Sequence, residues 1–326
     1  MDKTLVNPKA RRAVVQFGIP FRSTQEVRSG EGALYADGVT KHRYMESLGA
    51  EFASALPLLD EYSVPAICVS GKSASVMRPD DVSALLRHVR QGLNLERGFE
   101  LSMRALPQTV CTPCMEGMKA GGVNRVDLQV ASAVDAELGR AGYGYRREHV
   151  ENAMSFISRF SFREIGFDVV CGLPGQDERS LRESVKFWTF YEPECIRLSI
   201  WEGHASQTAS TREEERARKL FTMASEGLQA AGYRHCADFA GSAHFVRSNR
   251  GCSFVQGVLE GLDVFAFGLG GASYMGGVAC VTTQSLPVYL ENSASFDKIV
   301  ERVERLDEDG RRRRLEDLGK LMAAKD

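Results

Sequence analysis

Residues 165–176 read Ile-Gly-Phe-Asp-Val-Val-Cys-Gly-Leu-Pro-Gly-Gln: an apolar, strand-like run that breaks on glycine and proline just before an amphipathic helix begins near Asp177. Run, break and helix make one βα unit of a parallel barrel, whose ligand side is the carboxyl end of its strands. Asp168 is the one carboxylate in the run. It is either a structural acid paired with loop amides or a group facing the cavity.

Working outward, five more short apolar runs share this form: Ala13–Phe17, Val64–Ser70, Phe99–Arg104, Arg125–Val130 and Cys195–Ile200. Helical patterns separate them at Thr40–Leu56, Asp80–Leu93, Cys111–Ala120, His149–Phe160 and Ser180–Phe190. This alternation predicts an α/β fold, a partial (β/α)6 TIM-like barrel over residues 1–205. Beyond it the rhythm changes. Thr211–Ala231 reads as one long helix stopped by Gly232. Glycine-rich, strand-like pieces then run from Tyr233 to Tyr289, and helices are expected at Ser295–Leu306 and Arg311–Ala323. Residues 206–326 are therefore expected to form a C-terminal α+β annex, with short antiparallel strands packed beside the barrel.

With a net charge of −2 over 326 residues, no bulk electrostatic case for nucleic acid exists. No apolar run approaches the ~20 residues that span a bilayer, so membrane insertion is not expected. The first residues lack the apolar core of a secretory signal, and eight dispersed cysteines are not a disulfide framework. A cytoplasmic location follows as the expectation. Arg311–Arg314, set among Asp307, Glu308, Asp309, Glu316 and Asp317, reads as a solvated, salt-bridged face.

Taken in order, Ile19-Pro20-Phe21, Gly122-Val123-Asn124-Arg125, Leu138-Gly139-Arg140, Asp168–Gln176 and Gly268-Leu269-Gly270-Gly271-Ala272 resemble the oxygen-independent coproporphyrinogen III oxidase family. That family consists of radical SAM proteins that act on or bind tetrapyrroles. His244-Phe245 with Arg247, followed by Phe267–Ala272, looks closest to its anaerobic haem-degradation (anaerobilin synthase) branch. The resemblance covers roughly residues 13–290. It implies three cysteines after Ile-Pro-Phe, whose thiolates hold a [4Fe–4S] cluster that binds S-adenosylmethionine. Here those positions are Arg22, Glu26 and Ser29, and the first cysteine of the chain is Cys68. The family's glycine-rich loop appears as Ser70-Gly71-Lys72-Ser73, its Glu as Arg104 and its Gln as Ala131, whereas Arg140 and Asp168 match. No iron–sulfur cluster is expected, and S-adenosylmethionine binding becomes doubtful.

Arg22, Lys72, Arg104 and Arg140 fall at or near the carboxyl ends of predicted strands, with Asp168 among them. Such cations suit the carboxylates of a haem or porphyrin, through bidentate guanidinium pairing. Alternatively they pair internally with Asp168, Glu26 and Glu100 and fill the old pocket. His204, His235 and His244 are candidate axial ligands for haem iron, although a lone histidine is more often a hydrogen-bonded structural group. Cys111 and Cys114 form a C-x2-C at a helix start, but one predicted on the barrel's outside, with no second pair to complete a zinc site.

The leading expectation is a cluster-less, radical-SAM-like pseudoenzyme that binds haem or another anionic tetrapyrrole in anaerobic haem metabolism. Its rivals are a non-radical, S-adenosylmethionine-dependent methyl transfer to a tetrapyrrole, and a non-catalytic partner of a radical SAM paralogue. A homodimer is a further option.

Overall fold

Six strands with apolar residues on their outer faces alternate with amphipathic helices, and each helix lays its apolar stripe on the sheet. The computed structural model describes residues 11–22, 34, 36–71, 74–201, 211–239, 241–247, 251–307 and 310. The barrel runs β1 (Arg11–Ile19), α1 (Gly38–Leu59), β2 (Tyr62–Gly71), α2 (Pro79–Gly92), β3 (Leu95–Ala105), α3 (Thr112–Gly121), β4 (Arg125–Gln129), α4 (Asp135–Arg140), α5 (Arg147–Ser158), β5 (Glu164–Cys171), α6 (Glu178–Phe190) and β6 (Cys195–Ile200). Strands β1 to β6 are parallel neighbours in chain order, so the predicted partial (β/α)6 barrel is the fold.

The remaining elements are α7 (Thr211–Ala230), β7 (Arg234–Phe239), β8 (Ser242–Val246), α8 (Ser253–Leu259), β9 (Asp263–Phe267), β10 (Ala272–Met275), β11 (Val278–Thr282), α9 (Leu286–Asn292), α10 (Phe296–Ile299) and β12 (Val300–Arg305). They include the expected short antiparallel strands, and these join the barrel's own sheet. One twelve-stranded sheet has the order β12-β11-β10-β9-β1-β2-β3-β4-β5-β6-β8-β7, so the later strands extend the barrel wall at both ends. Strand β9 even runs parallel to β1. The helix expected over Ser295–Leu306 is also corrected: only Phe296–Ile299 is helical, and residues 300–305 are strand β12. Val-Glu-Arg-Val-Glu-Arg permits either periodicity, and antiparallel pairing with β11 decides for strand. The helix expected at Arg311–Ala323 lies outside the described residues.

The main core lies between the strands' outer faces and the helices, where Phe17, Phe52 and Phe267 meet with ring centroids 5.2–5.7 Å apart. A second cluster lies inside the barrel: Val14 and Ala66 of its wall pack with Phe239 and with Phe254, Val255 and Val258 of α8. Helix α8 therefore plugs the interior against β1 and β2.

The glycine-rich Phe267–Ala272 segment is a structural joint. Gly268 has φ +103°, and a Cβ there would lie 2.5 Å from the Tyr44 hydroxyl. Buried Glu51 accepts hydrogen bonds from the Gly268 amide (2.8 Å) and the Tyr289 hydroxyl (2.6 Å), while the Tyr44 hydroxyl donates to the Gly18 carbonyl (2.6 Å). One carboxylate thus ties α1, the β9–β10 turn and α9 together. Replacing Glu51 by Ala leaves buried donors unmatched and should cost about 2–4 kcal/mol in urea denaturation, with Glu51→Gln losing clearly less. Equal losses for the two variants would contradict this role.

Candidate functional site

Side chains alternate across a strand, so every second residue of β1 to β6 faces the barrel interior. In this chain many of those residues are charged. A cavity of about 80 Å³ is lined by Gln16, Cys68, Ser102, Arg104, Arg125, Asp127, Asp168, Cys195, Arg197 and His244, and by Cys252, Phe254 and Val255 at the start of α8.

Its charges lie at two levels set by the strand register. At the inner level, buried Arg125 of β4 bonds Asp127 through Nε at 2.9 Å. Its Nη1 lies 3.6 Å from Glu100 and 3.5 Å from Glu164, ion-pair contacts long for hydrogen bonds. Burial pulls the Arg125 pKa down, but the surrounding carboxylates, Asp127 first, more than offset it. Glu100 in turn accepts from the Ser253 amide at 3.0 Å, which seats α8. Gly166 is fitted to this level, because a Cβ there would lie 2.0 Å from Asp127 Oδ1.

At the outer level, the Asp168 carboxylate is held between two guanidiniums. Arg104 Nε donates to Oδ2 and Arg197 Nε donates to Oδ1, each at 2.7 Å. Arg197 is the register partner of Asp168 on β6, whereas Arg104 reaches across from β3 and also approaches the Gly71 carbonyl. Asp168 therefore faces the cavity and is fixed by arginines.

His244 of β8 stands beside Arg197 in register and is 5% exposed. Neither of its ring nitrogens has a hydrogen-bond partner among the described residues. Burial, with the Arg125 charge adding to it, lowers its pKa to about 4, so it is neutral at pH 7. A neutral imidazole offers one donor and one acceptor to whatever enters. The thiols beside it are inert: burial pushes Cys68 up to about 12, Cys195 up to about 11 and Cys252 well above the usual thiol range.

The other predicted residues fall elsewhere. Arg140 is exposed on α4 and packs on the Gly172–Gln176 turn; a Cβ on Gly175 would lie 2.1 Å from its Nη1. It does not line the cavity. That turn is latched by Gln176, whose Oε1 accepts from the Gly172 amide at 2.7 Å and whose Nε2 donates to Glu137 at 3.1 Å. Arg22 follows β1 and is buried, with its amide donating to the Leu34 carbonyl. His235 is exposed on β7 and bonds Asp238. Glu26, Ser29, Lys72 and His204 lie outside the described residues. Cys111 is exposed at the start of α3, and burial pushes Cys114 up to about 12, unlike a redox thiol. Two functional residues, Arg197 and Arg125, escaped the sequence reading. The inward phase of Cys195, Arg197 and Ser199 between apolar Ile196 and Leu198 is the signal that marks Arg197.

The donors do not fit the family's cluster. The first of the three positions carries a buried guanidinium, Arg22, and a fixed cation is no iron ligand. Among the described residues no group of three or more His, Cys, Asp or Glu side chains could hold a metal ion. A tetrapyrrole fits in part. Whole drug-sized ligands take sites of ~300–1,000 Å³, so this cavity admits a carboxylate-bearing arm and leaves the macrocycle outside it. No helix of the described residues is long and apolar enough to cross a membrane.

No family model matches the chain. The heme chaperone HemW of Lactococcus lactis is 24% identical over 297 residues, which cover 88% of this chain and 76% of that protein. HemW of Synechocystis is 25% identical over 218 residues, 64% of this chain and 52% of that one, so the match spans about half the length of that relative. In structure, coproporphyrinogen III oxidase (HemN) of Escherichia coli, a radical SAM enzyme, superposes with a TM-score of 0.78 at 17% identity, covering 97% of this chain and 76% of that one. This likeness shows the shared barrel fold.

His244 generates a pH test. Its pKa near 6.5 in the unfolded chain falls to about 4 on folding. The unfolded chain therefore binds the extra proton between those values, and stability present above pH 6.5 is lost as pH falls towards 4. Relative to His244→Gln, the native protein should lose roughly 3 kcal/mol over that window in urea titrations. Parallel pH profiles for the two proteins would contradict the buried, neutral assignment.

Proposed function

Because the chain is a relative, in sequence and fold, of the radical SAM coproporphyrinogen III oxidase-like proteins, we propose that it binds haem or another anionic tetrapyrrole without radical S-adenosylmethionine chemistry. The observation that carries this reading is the Arg104–Asp168–Arg197 triad inside the barrel. Two guanidiniums already grip one carboxylate there. Two positive charges face one negative charge, so the group keeps a net positive charge that suits a propionate. Arg104, Arg197 and neutral His244 would hold one propionate arm of the tetrapyrrole. Low-dielectric walls strengthen that attraction for an anion.

The absence of a cluster rests on the donor set, with Arg22, Glu26 and Ser29 where the family has thiolates. Without those thiolates the chain has no means of cleaving S-adenosylmethionine reductively. Its part in anaerobic haem metabolism is to hold or hand on the tetrapyrrole, as the name of its heme chaperone relatives suggests for them. The work is placed in the cytoplasm.

Titration with haem should shift the Soret band at about 10 μM ligand, some 7 kcal/mol of binding. Arg197→Gln should weaken binding about tenfold, ~1.4 kcal/mol. Haem dimethyl ester, whose propionates are capped, should lose at least as much. No shift up to about 100 μM haem, or equal affinity for the diester, would remove this function.

A further inference from the structure

Strand β12 ends the twelve-stranded sheet, and no described strand lies on its far side. Residues 301–305 are exposed, and Val303 at the strand's centre is a large apolar side chain left 66% exposed. The Leu306 amide donates to the Gly277 carbonyl, so alternation along the ladder turns Arg302 and Glu304 towards β11 with their backbone groups. The amides and carbonyls of Val303 and Arg305 then point away from the sheet, while the register shifts at Glu301, whose carboxylate accepts from the Thr283 hydroxyl. An edge of this kind is a template for another strand unless charge or shape blocks it.

Here the charges invite one particular strand. The sequence Val300-Glu301-Arg302-Val303-Glu304-Arg305-Leu306 is self-complementary when two copies run antiparallel about Val303. Val303 then faces its own copy in a hydrogen-bonded pair. Arg302 meets Glu304 on one face of the sheet, at two symmetry-related places on either side of Val303. Within one chain Arg302 and Glu304 already form an ion pair, which shows that the two heads reach the same face. Opposite charges directly across a ladder stabilise it, and like charges oppose it.

We propose that β12 is a homodimer interface, in which two copies of this chain pair edge to edge about Val303 and join their sheets into one. The proposal stands apart from the tetrapyrrole reading and survives its failure. A strand this short buries little area, so the dimer is weak and forms at roughly 10–100 μM chain.

Sedimentation equilibrium of the full chain tests it. The native protein should shift from one-chain to two-chain mass over that range. Val303→Pro removes an outward amide without touching the bonds to β11, a substitution edge strands tolerate, and should keep the protein monomeric. Arg302→Glu sets a second carboxylate against Glu304 at both symmetry-related pairs and should weaken association at least tenfold. The exchange Arg302→Glu with Glu304→Arg should restore it, which excludes misfolding as the cause. A single-chain mass up to about 500 μM overturns the proposal. So does a dimer that neither Val303→Pro nor Arg302→Glu disturbs.

Discussion

A charge that faces the inside of a parallel barrel has little water to solvate it and must be matched by the opposite wall. That constraint governs this molecule. The Arg125 guanidinium is matched by Asp127, Glu100 and Glu164, and Asp168 is matched by Arg104 and Arg197. Removing one member of such a group leaves an uncompensated ion, typically a loss of ~3–5 kcal/mol. The surrounding chain follows from it. Gly166 lacks a side chain because the Asp127 carboxylate fills its space, and α8 is docked by an amide on Glu100.

The same network shapes what the barrel can do. Its inner level is closed by α8 and lined by protonated thiols. The outer level is different, because two arginines converge on one carboxylate at the edge of a small cavity with neutral His244 beside them. The Gly172–Gln176 turn is held by its own contacts, with Gln176 bridging Gly172 and Glu137 and Arg140 packed over Gly175.

Strand–break–helix rhythm made the barrel legible in the sequence, since a parallel βα unit writes both periodicities plainly. Asp168 stood out as the one carboxylate in an apolar run, with its side left open, and Arg104 by its place at the carboxyl end of a predicted strand. Arg197 was passed over, although the alternation of Cys195, Arg197 and Ser199 with apolar Ile196 and Leu198 marks its face; its pairing with Asp168 appears only once β5 and β6 are in register. The extension of the sheet by β7 to β12 was hidden for the same reason: parallel pairing of β9 with β1 joins residues some 250 apart. Val300–Arg305 carries both helical and strand periodicity, and only its ladder with β11 settles it. His244 was visible as a histidine, but its burial and its bare nitrogens are properties of the packed cavity.

The central claim is the proposal that this barrel, similar in fold to coproporphyrinogen III oxidase (HemN), binds a tetrapyrrole without an iron–sulfur cluster. Anaerobic reconstitution with ferrous iron and sulfide, followed by desalting and metal analysis, addresses it directly. The account predicts a colourless protein with iron and sulfide far below one cluster per chain and no reductive cleavage of S-adenosylmethionine by dithionite. A brown protein holding stoichiometric iron and sulfide would contradict it.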